Sequence, residues 1–428
     1  MSKNNIDDKK QAALNFLDSK LNDKLLTHLN SCVHCGLCGT SCHYYLTNNK
    51  PEYIPASKVD LVASIYRRYH TFAGKHFPKL TSARELDKAT TDKMVDTLFG
   101  ACTLCGRCVE HCSIGVDIPF VIRTGRMMLH QMGLVPKSIQ STVDNALQTG
   151  NNMAIPKEEF IDTLNWLNEE LQAEVEDENA VIPLDKQGVE YMYTLNPREP
   201  KFFPLSIVAA AKIFYKAGLS WTLSSDFYDV TNYAYFTGDE DGAKQITSNL
   251  LAEAKRLGAK VIILGECGHG SRAMRWEGPN WIGKKYNVDT ITLVELLSDM
   301  IKRRIITPTQ KIEDMVTIHD PCNLVRNGGV IEEPRYIVNH CCKNFVEMTP
   351  NRADNFCCGG GGGQLAMSEY NDRRIAIGKI KAEQIRATKA KIVVTPCHNC
   401  VDQLTTLNAE YKLGVRIMTM AEIVAAAL

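Results

Sequence analysis

Apolar residues recur in three- and four-residue steps near the start of the chain, where Leu14, Leu17, Leu21 and Leu25 share one face. The pattern predicts an amphipathic docking helix over residues 1–27, packed on its own module or on a partner. The period returns at Phe160, Leu164, Leu167 and Leu171 and then runs into the acidic "EVEDEN". It predicts a helical connector over residues 136–200 with a solvated charged end. The most apolar window, Phe202–Trp221, is broken by Pro204, Lys212 and Lys216. A spanning helix needs about 20 nearly unbroken apolar residues, so a soluble or interfacial helix is expected there.

Two short β-branched runs, Val261–Ile263 and Ile392–Val394, each follow a helical pattern and precede a cysteine-bearing loop. They belong to a duplication: "AEAKRLGAKVIILGECGHG" (Ala252–Gly270) resembles "AEQIRATKAKIVVTPCHNC" (Ala382–Cys400). Each copy continues into another strand-and-helix pattern. Such alternation predicts parallel sheets covered by helices, and two α/β halves related by a pseudo-twofold place their loops around a shared site.

Charge and composition narrow the classes. Lys+Arg and Asp+Glu both number 49 in 428 residues, so nothing argues for nucleic acid as a partner. The polar start carries no secretory pattern. In such a chain 16 cysteines read as metal ligands or redox groups rather than as a disulfide framework.

Eight of them form two identical C-x2-C-x2-C-x3-C runs, Cys32, Cys35, Cys38 and Cys42, then Cys102, Cys105, Cys108 and Cys112. This is two-cluster ferredoxin spacing, in which three cysteines of a run hold one 4Fe–4S cube and the fourth crosses to the other. One cluster is therefore assigned to Cys32, Cys35, Cys38 and Cys112, the other to Cys102, Cys105, Cys108 and Cys42. Zinc sites favour separated C-x2-C pairs instead. His43 and Ser113 stand where the bacterial run usually has proline, and the 59 residues between Cys42 and Cys102 predict a helix-rich module. His34, His43 and His111 are read as neighbours of the clusters rather than ligands.

Five more cysteines lie in the second copy: Cys322 in "HDPCN", Cys357–Cys358 in "NFCCGGGGG", and Cys397 and Cys400 in "PCHNC", with gaps of 34 and 38 residues. The glycine run lacks the Lys-Ser/Thr of a phosphate-binding loop, and a zinc site from four of the five is an alternative. In the first copy "NYAYFTGDEDG" stands where the CC pair would be, Gly270 replaces the last cysteine, and only Cys267 remains, as a redox thiol or a buried remnant. Cys341–Cys342 are read as structural, within a helix.

One cysteine, a CC pair and a final C-x2-C resemble the CCG domain of heterodisulfide reductases. Two ferredoxin runs fused to one intact and one degenerate CCG half, with "GECGH" in the latter, resemble in particular the HdrD-like, DsrK-type iron–sulfur subunits. The resemblance implies an α+β multidomain fold: a ferredoxin-like domain at 28–135, a degenerate first CCG half at 201–310, and a second half at 311–428. It implies two 4Fe–4S cubanes and one noncubane 4Fe–4S cluster held by Cys322, Cys357, Cys358, Cys397 and Cys400. It further implies an oxidoreductase subunit acting on a disulfide or trisulfide, a small sulfur-carrier protein among the substrates, with a membrane b-type cytochrome or other redox subunit as partner. The chain is then cytoplasmic and peripherally attached to a membrane complex. Cys267 is the candidate substrate-side thiol and His398 and His269 the candidate proton donors; Arg326, Arg272 and Arg275 are candidates for steering an anion. The alternatives are an electron relay with no substrate of its own and the iron–sulfur subunit of a quinone-linked dehydrogenase.

Overall fold

The computed structural model describes residues 3–428, and the chain divides into two compact units. The first comprises the chain up to Gln140 together with Ala234–Glu240 and Gly359–Ile380. The second comprises Ser141–Tyr233, Asp241–Cys358 and Lys381–Leu428.

The first unit is helical. Helix Pro55–His70 turns Val59, Val62 and Ile65 inward, and helix Ile118–Gln131 does the same with Val121, Met128 and Leu129. The latter starts where Asp117 accepts from the Phe120 amide and Pro119 occupies the first turn, both favourable at a helix N-terminus. The leading segment folds as two helices, Lys3–Lys20 and Asp23–Asn30, with Asn22 capping the second. Leu14, Leu17 and Leu25 are buried, and Lys3–Lys20 packs on Ile118–Gln131. Residues 1 and 2 of the predicted 1–27 helix lie outside the described residues. Arg126 is wholly buried and donates to the carbonyls of Leu98, Cys102, Phe236 and Gly362. One guanidinium thus ties three separated segments together.

The second unit holds two four-stranded sheets, every pair parallel. The strands are β1 (Tyr191–Tyr193), β2 (Trp221–Thr222), β3 (Val261–Leu264), β4 (Asp289–Thr292), β5 (Ile312–Ile318), β6 (Cys342–Phe345), β7 (Ile392–Val394) and β8 (Arg416–Met418). The sheets run β2-β1-β3-β4 and β6-β5-β7-β8, the same order twice. The helices after β4 and β8 both begin with a reciprocal capping box, Thr292 with Glu295 and Thr419 with Glu422. The fold is α+β, a helix-rich ferredoxin-type part with a duplicated parallel α/β part.

Three details differ from the sequence pattern. β1 lies inside the stretch read as a helical connector; its Tyr-Met-Tyr sequence lacks the β-branched run that marks β3 and β7. Cys342 opens β6, while Cys341 ends the preceding helix, so the pair does not share one helix. The copies are also not in ungapped register. Tyr191 pairs with Val261 and Val316 with Ile392, yet Cys267 and Cys397 each immediately precede a helix. The first copy therefore has one extra residue between strand and cysteine.

Candidate functional site

The ferredoxin runs share a backbone. His34 and Gly36 in one, and Leu104 and Gly106 in the other, have positive φ at matching positions, 54° and 83° against 53° and 82°. Gly36 and Gly106 each lead into a short helix. The left-handed turns swing successive cysteines inward; glycine adopts them without strain. One cavity is lined by Cys32, Cys35, Cys38 and Cys112. A second is lined by Cys42, Cys102, Cys105 and Cys108. Lys58, also on the second cavity, is buried, donates to the Ala101 carbonyl and lies 5.4 Å from the Tyr44 ring centre. It escaped the sequence reading because lysine on an apolar helix face looks like a solvated residue.

The other five cysteines converge at the carboxyl ends of β5 and β7, where parallel α/β sheets place their ligands. Cys322 follows the His319-Asp320-Pro321 turn after β5. Cys397 immediately precedes helix His398–Glu410, and Cys400 lies in its first turn. All five are buried. Cys322 and Cys357 sulfurs are 4.0 Å apart and those of Cys358 and Cys400 3.5 Å, well beyond the ~2.05 Å of a disulfide. The Gly268 amide donates to Cys397 at 3.4 Å. The Cys397 thiol is lowered to about 7, first by its bond from Cys400. Five buried soft donors without a disulfide suit an iron–sulfur group.

Polar groups hold the loops. Asp320 makes two 2.9 Å contacts with Arg335 and accepts the Arg352 amide at 2.7 Å. Arg326 donates to the Ala353 and Asn355 carbonyls just ahead of the CC pair. Arg272 pairs with Glu277, and Arg275 with Glu295. Those contacts are structural uses for the three arginines. Gly362 has φ +65°, and a Cβ there would meet the Thr103 backbone at 2.5 Å. Two groups missed in the sequence also face the cysteines. His319 shares a 4.8 Å cluster of donor atoms with Cys358 and Cys400, and buried Lys381 interacts with Cys357, Cys358 and Cys400.

Cys267 is buried, with Asn196 Nδ2 and Thr231 Oγ1 each 3.5 Å from its sulfur. Burial, then the charge of Cys397, pushes its thiol up to about 12. His269 Nδ1 is 2.8 Å from Asn399 Nδ2. His398 lies 3.0 Å from Ser206 Oγ and 3.2 Å from the Glu266 carbonyl. Burial lowers His269 to about 3 and His398 to about 4, so both rings are neutral near pH 7. Arg198 takes the position of Cys322 when "NPR" is set against "DPC". It pairs with Asp402 and donates to Asn399 at 3.1 Å.

Comparison with known proteins agrees with this geometry. Residues 28–116 match the 4Fe-4S dicluster domain, and residues 316–405 match the cysteine-rich domain CCG. The chain thus carries two iron–sulfur-type cysteine domains, and the relatives it resembles are iron–sulfur subunits of Hdr-like and heterodisulfide-reductase oxidoreductases. It is 28% identical to the Hdr-like menaquinol oxidoreductase iron-sulfur subunit 2 of Archaeoglobus fulgidus, over 86% of this chain and 74% of that protein. It is 25% identical to a subunit of the dihydromethanophenazine:CoB–CoM heterodisulfide reductase of Methanosarcina barkeri, over 94% of this chain and 95% of that protein. It is 24% identical to the EtfAB:quinone oxidoreductase of Syntrophomonas wolfei, over 94% of this chain and 58% of that protein. Among the described residues no helix is long and apolar enough to cross a membrane.

Proposed function

We propose that this chain is the iron–sulfur subunit of a heterodisulfide-reductase-like complex that passes electrons to a disulfide or trisulfide substrate. The observation that carries the reading is the convergence of five buried cysteines, none in a disulfide, with a sixth, Cys267, beside them. Cys32, Cys35, Cys38 and Cys112 would hold one cubane, and Cys102, Cys105, Cys108 and Cys42 the other. Cys322, Cys357, Cys358, Cys397 and Cys400 would hold a noncubane cluster. When bound, these groups supply one-electron steps and an iron site for sulfur. Cleaving one S–S bond takes two electrons and two protons and releases two thiols. The electrons come from a quinol or cytochrome through a membrane partner to which the chain attaches from the cytoplasmic side, as in DsrK-type complexes.

The chain's residues orient and seal this chemistry. Gly268 donates to Cys397, and Asn196 and Thr231 hold the Cys267 sulfur. Neutral His269 and His398 keep the C-x2-C loop in place and are candidates to relay a proton to a leaving thiolate, each taking one from solvent or substrate at one ring nitrogen as it gives one up at the other. The likeness to an EtfAB:quinone oxidoreductase favours a second reading, a relay between a dehydrogenase and quinone.

Anaerobic protein examined by EPR before and after addition of a thiol separates the two. A new paramagnetic signal on thiol addition, lost in Cys358→Ala, is expected for the reductase. Full iron, about twelve atoms per chain, with no thiol response would contradict it in favour of the relay.

A further inference from the structure

Beside the five cysteines lies an imidazole without a hydrogen-bond partner. His319 is 1% exposed, and neither Nδ1 nor Nε2 is bonded to any group of the protein. Leaving two buried ring nitrogens unsatisfied is costly, since each loses its water and gains nothing in return. A donor nitrogen of this ring, Cys358 Sγ and Cys400 Sγ all lie within 4.8 Å of one another.

Lys381 is likewise 1% exposed, with only long contacts, 3.4 Å to Asn355 Oδ1 and 3.7 Å to the Met348 sulfur. The neighbouring carboxylate, Asp320, is already engaged by Arg335 and the Arg352 amide. The acidic groups that face this lysine are Asp320 first, then Cys358, Cys357 and Cys400.

The duplication supplies an internal control. Counted from the matching ladder pairs, Tyr191 with Val261 and Val316 with Ile392, His319 corresponds to Thr194. The Thr194 hydroxyl donates to the Ile263 carbonyl at 2.9 Å. Counted back from the left-handed residues that follow the two helices, Gly258 and Lys389, Lys381 corresponds to Leu250, a core residue. The half without the cysteine set has satisfied or apolar side chains at both positions.

We propose that His319 is a nitrogen ligand of the group held by the five cysteines, giving that centre a mixed sulfur and nitrogen shell with Lys381 as its balancing cation. This rests on the reading of the five cysteines as a cluster site. It assigns the ring a role distinct from those of His269, whose ring contacts Asn399, and His398, whose ring contacts Ser206, the Glu266 carbonyl and the Glu199 carboxyl.

The test is pulsed EPR on anaerobic full-length chain grown with 15N-histidine, alongside iron analysis and the variant His319→Cys, which keeps a metal-binding atom. The expected result is a strong coupling from a directly bound histidine nitrogen, lost in His319→Cys while the iron content stays near about twelve atoms per chain. Weak or absent nitrogen coupling at that iron content overturns the proposal, as does a strong coupling that survives in His319→Cys. About eight iron atoms in the unaltered chain would overturn it together with the cluster assignment, and the iron count tells the two failures apart.

Discussion

The two halves of the α/β unit share strand order, direction and helix capping, yet differ at four of the five positions that would hold a cluster. The second half presents five cysteines, an imidazole and a lysine at the ends of β5 and β7. The first half has no cysteine in its Asn196-Pro197-Arg198 turn, where Arg198 follows the proline as Cys322 does in "DPC", and it has Ala234 and Tyr235 in place of the CC pair and Gly270 in place of Cys400. Only Cys267 survives. The framework thus folds without cluster ligands, because its stability lies in the strands and helices. Val316, Ile392 and Val394 are as deeply buried in the second half as Ile262, Ile263 and Leu264 in the first. Ligands are a local addition to a scaffold that stands without them.

The comparison is broken most severely by changing the one cysteine the halves still share outside the five. Cys267→Ala is expected to lower disulfide reduction by on the order of 100-fold or more with iron unchanged; turnover and iron measured together check it, and undiminished turnover would make Cys267 a remnant. Arg198→Ala comes next. The Arg198 and Asp402 side chains are 13% and 25% exposed. The loss should therefore fall below the ~3–5 kcal/mol of a fully buried pair, at about 2 kcal/mol, read as a lower denaturation midpoint with full iron.

Gly270→Cys asks whether the first half can regain its missing ligand. A Cβ at Gly270 would lie 2.6 Å from a Val230 methyl and 2.7 Å from its carbonyl oxygen, so a loss of about 1–3 kcal/mol is expected. Iron should not rise, and extra iron in this variant would show the first half to be more open than described. The smallest effect is at Cys342, a buried strand residue. Cys342→Ala should cost on the order of 1 kcal/mol and leave iron and EPR signals as they were.

How legible the molecule was in its sequence follows from the range of each determinant. The ferredoxin runs are local, since ligand spacing and the glycines that permit the turns sit within eleven residues, and the lining of the two cavities groups the same cysteines. The repeat was legible through β3 and β7 because buried parallel strands are continuous apolar runs. β1 and β2 were not: Tyr191-Met192-Tyr193 has no β-branched residue, and β2 is only Trp221–Thr222. The one-residue offset between copies was hidden because "GAKVIIL" and "KAKIVVT" lie beside cysteines that match without it. His319 and Lys381 gave no signal: a histidine after a strand and a lysine on a helix are ordinary until the fold buries them against the same sulfurs. Arg198 gave no signal either, because an arginine after Asn-Pro shares no ligand chemistry with the cysteine after Asp-Pro.

We propose that the second half, and not the first, holds a third cluster. Iron per chain in anaerobically purified protein, compared with Cys358→Ala, tests it most directly. About twelve atoms are expected in the unaltered chain and about eight in the variant. About eight in both would contradict it.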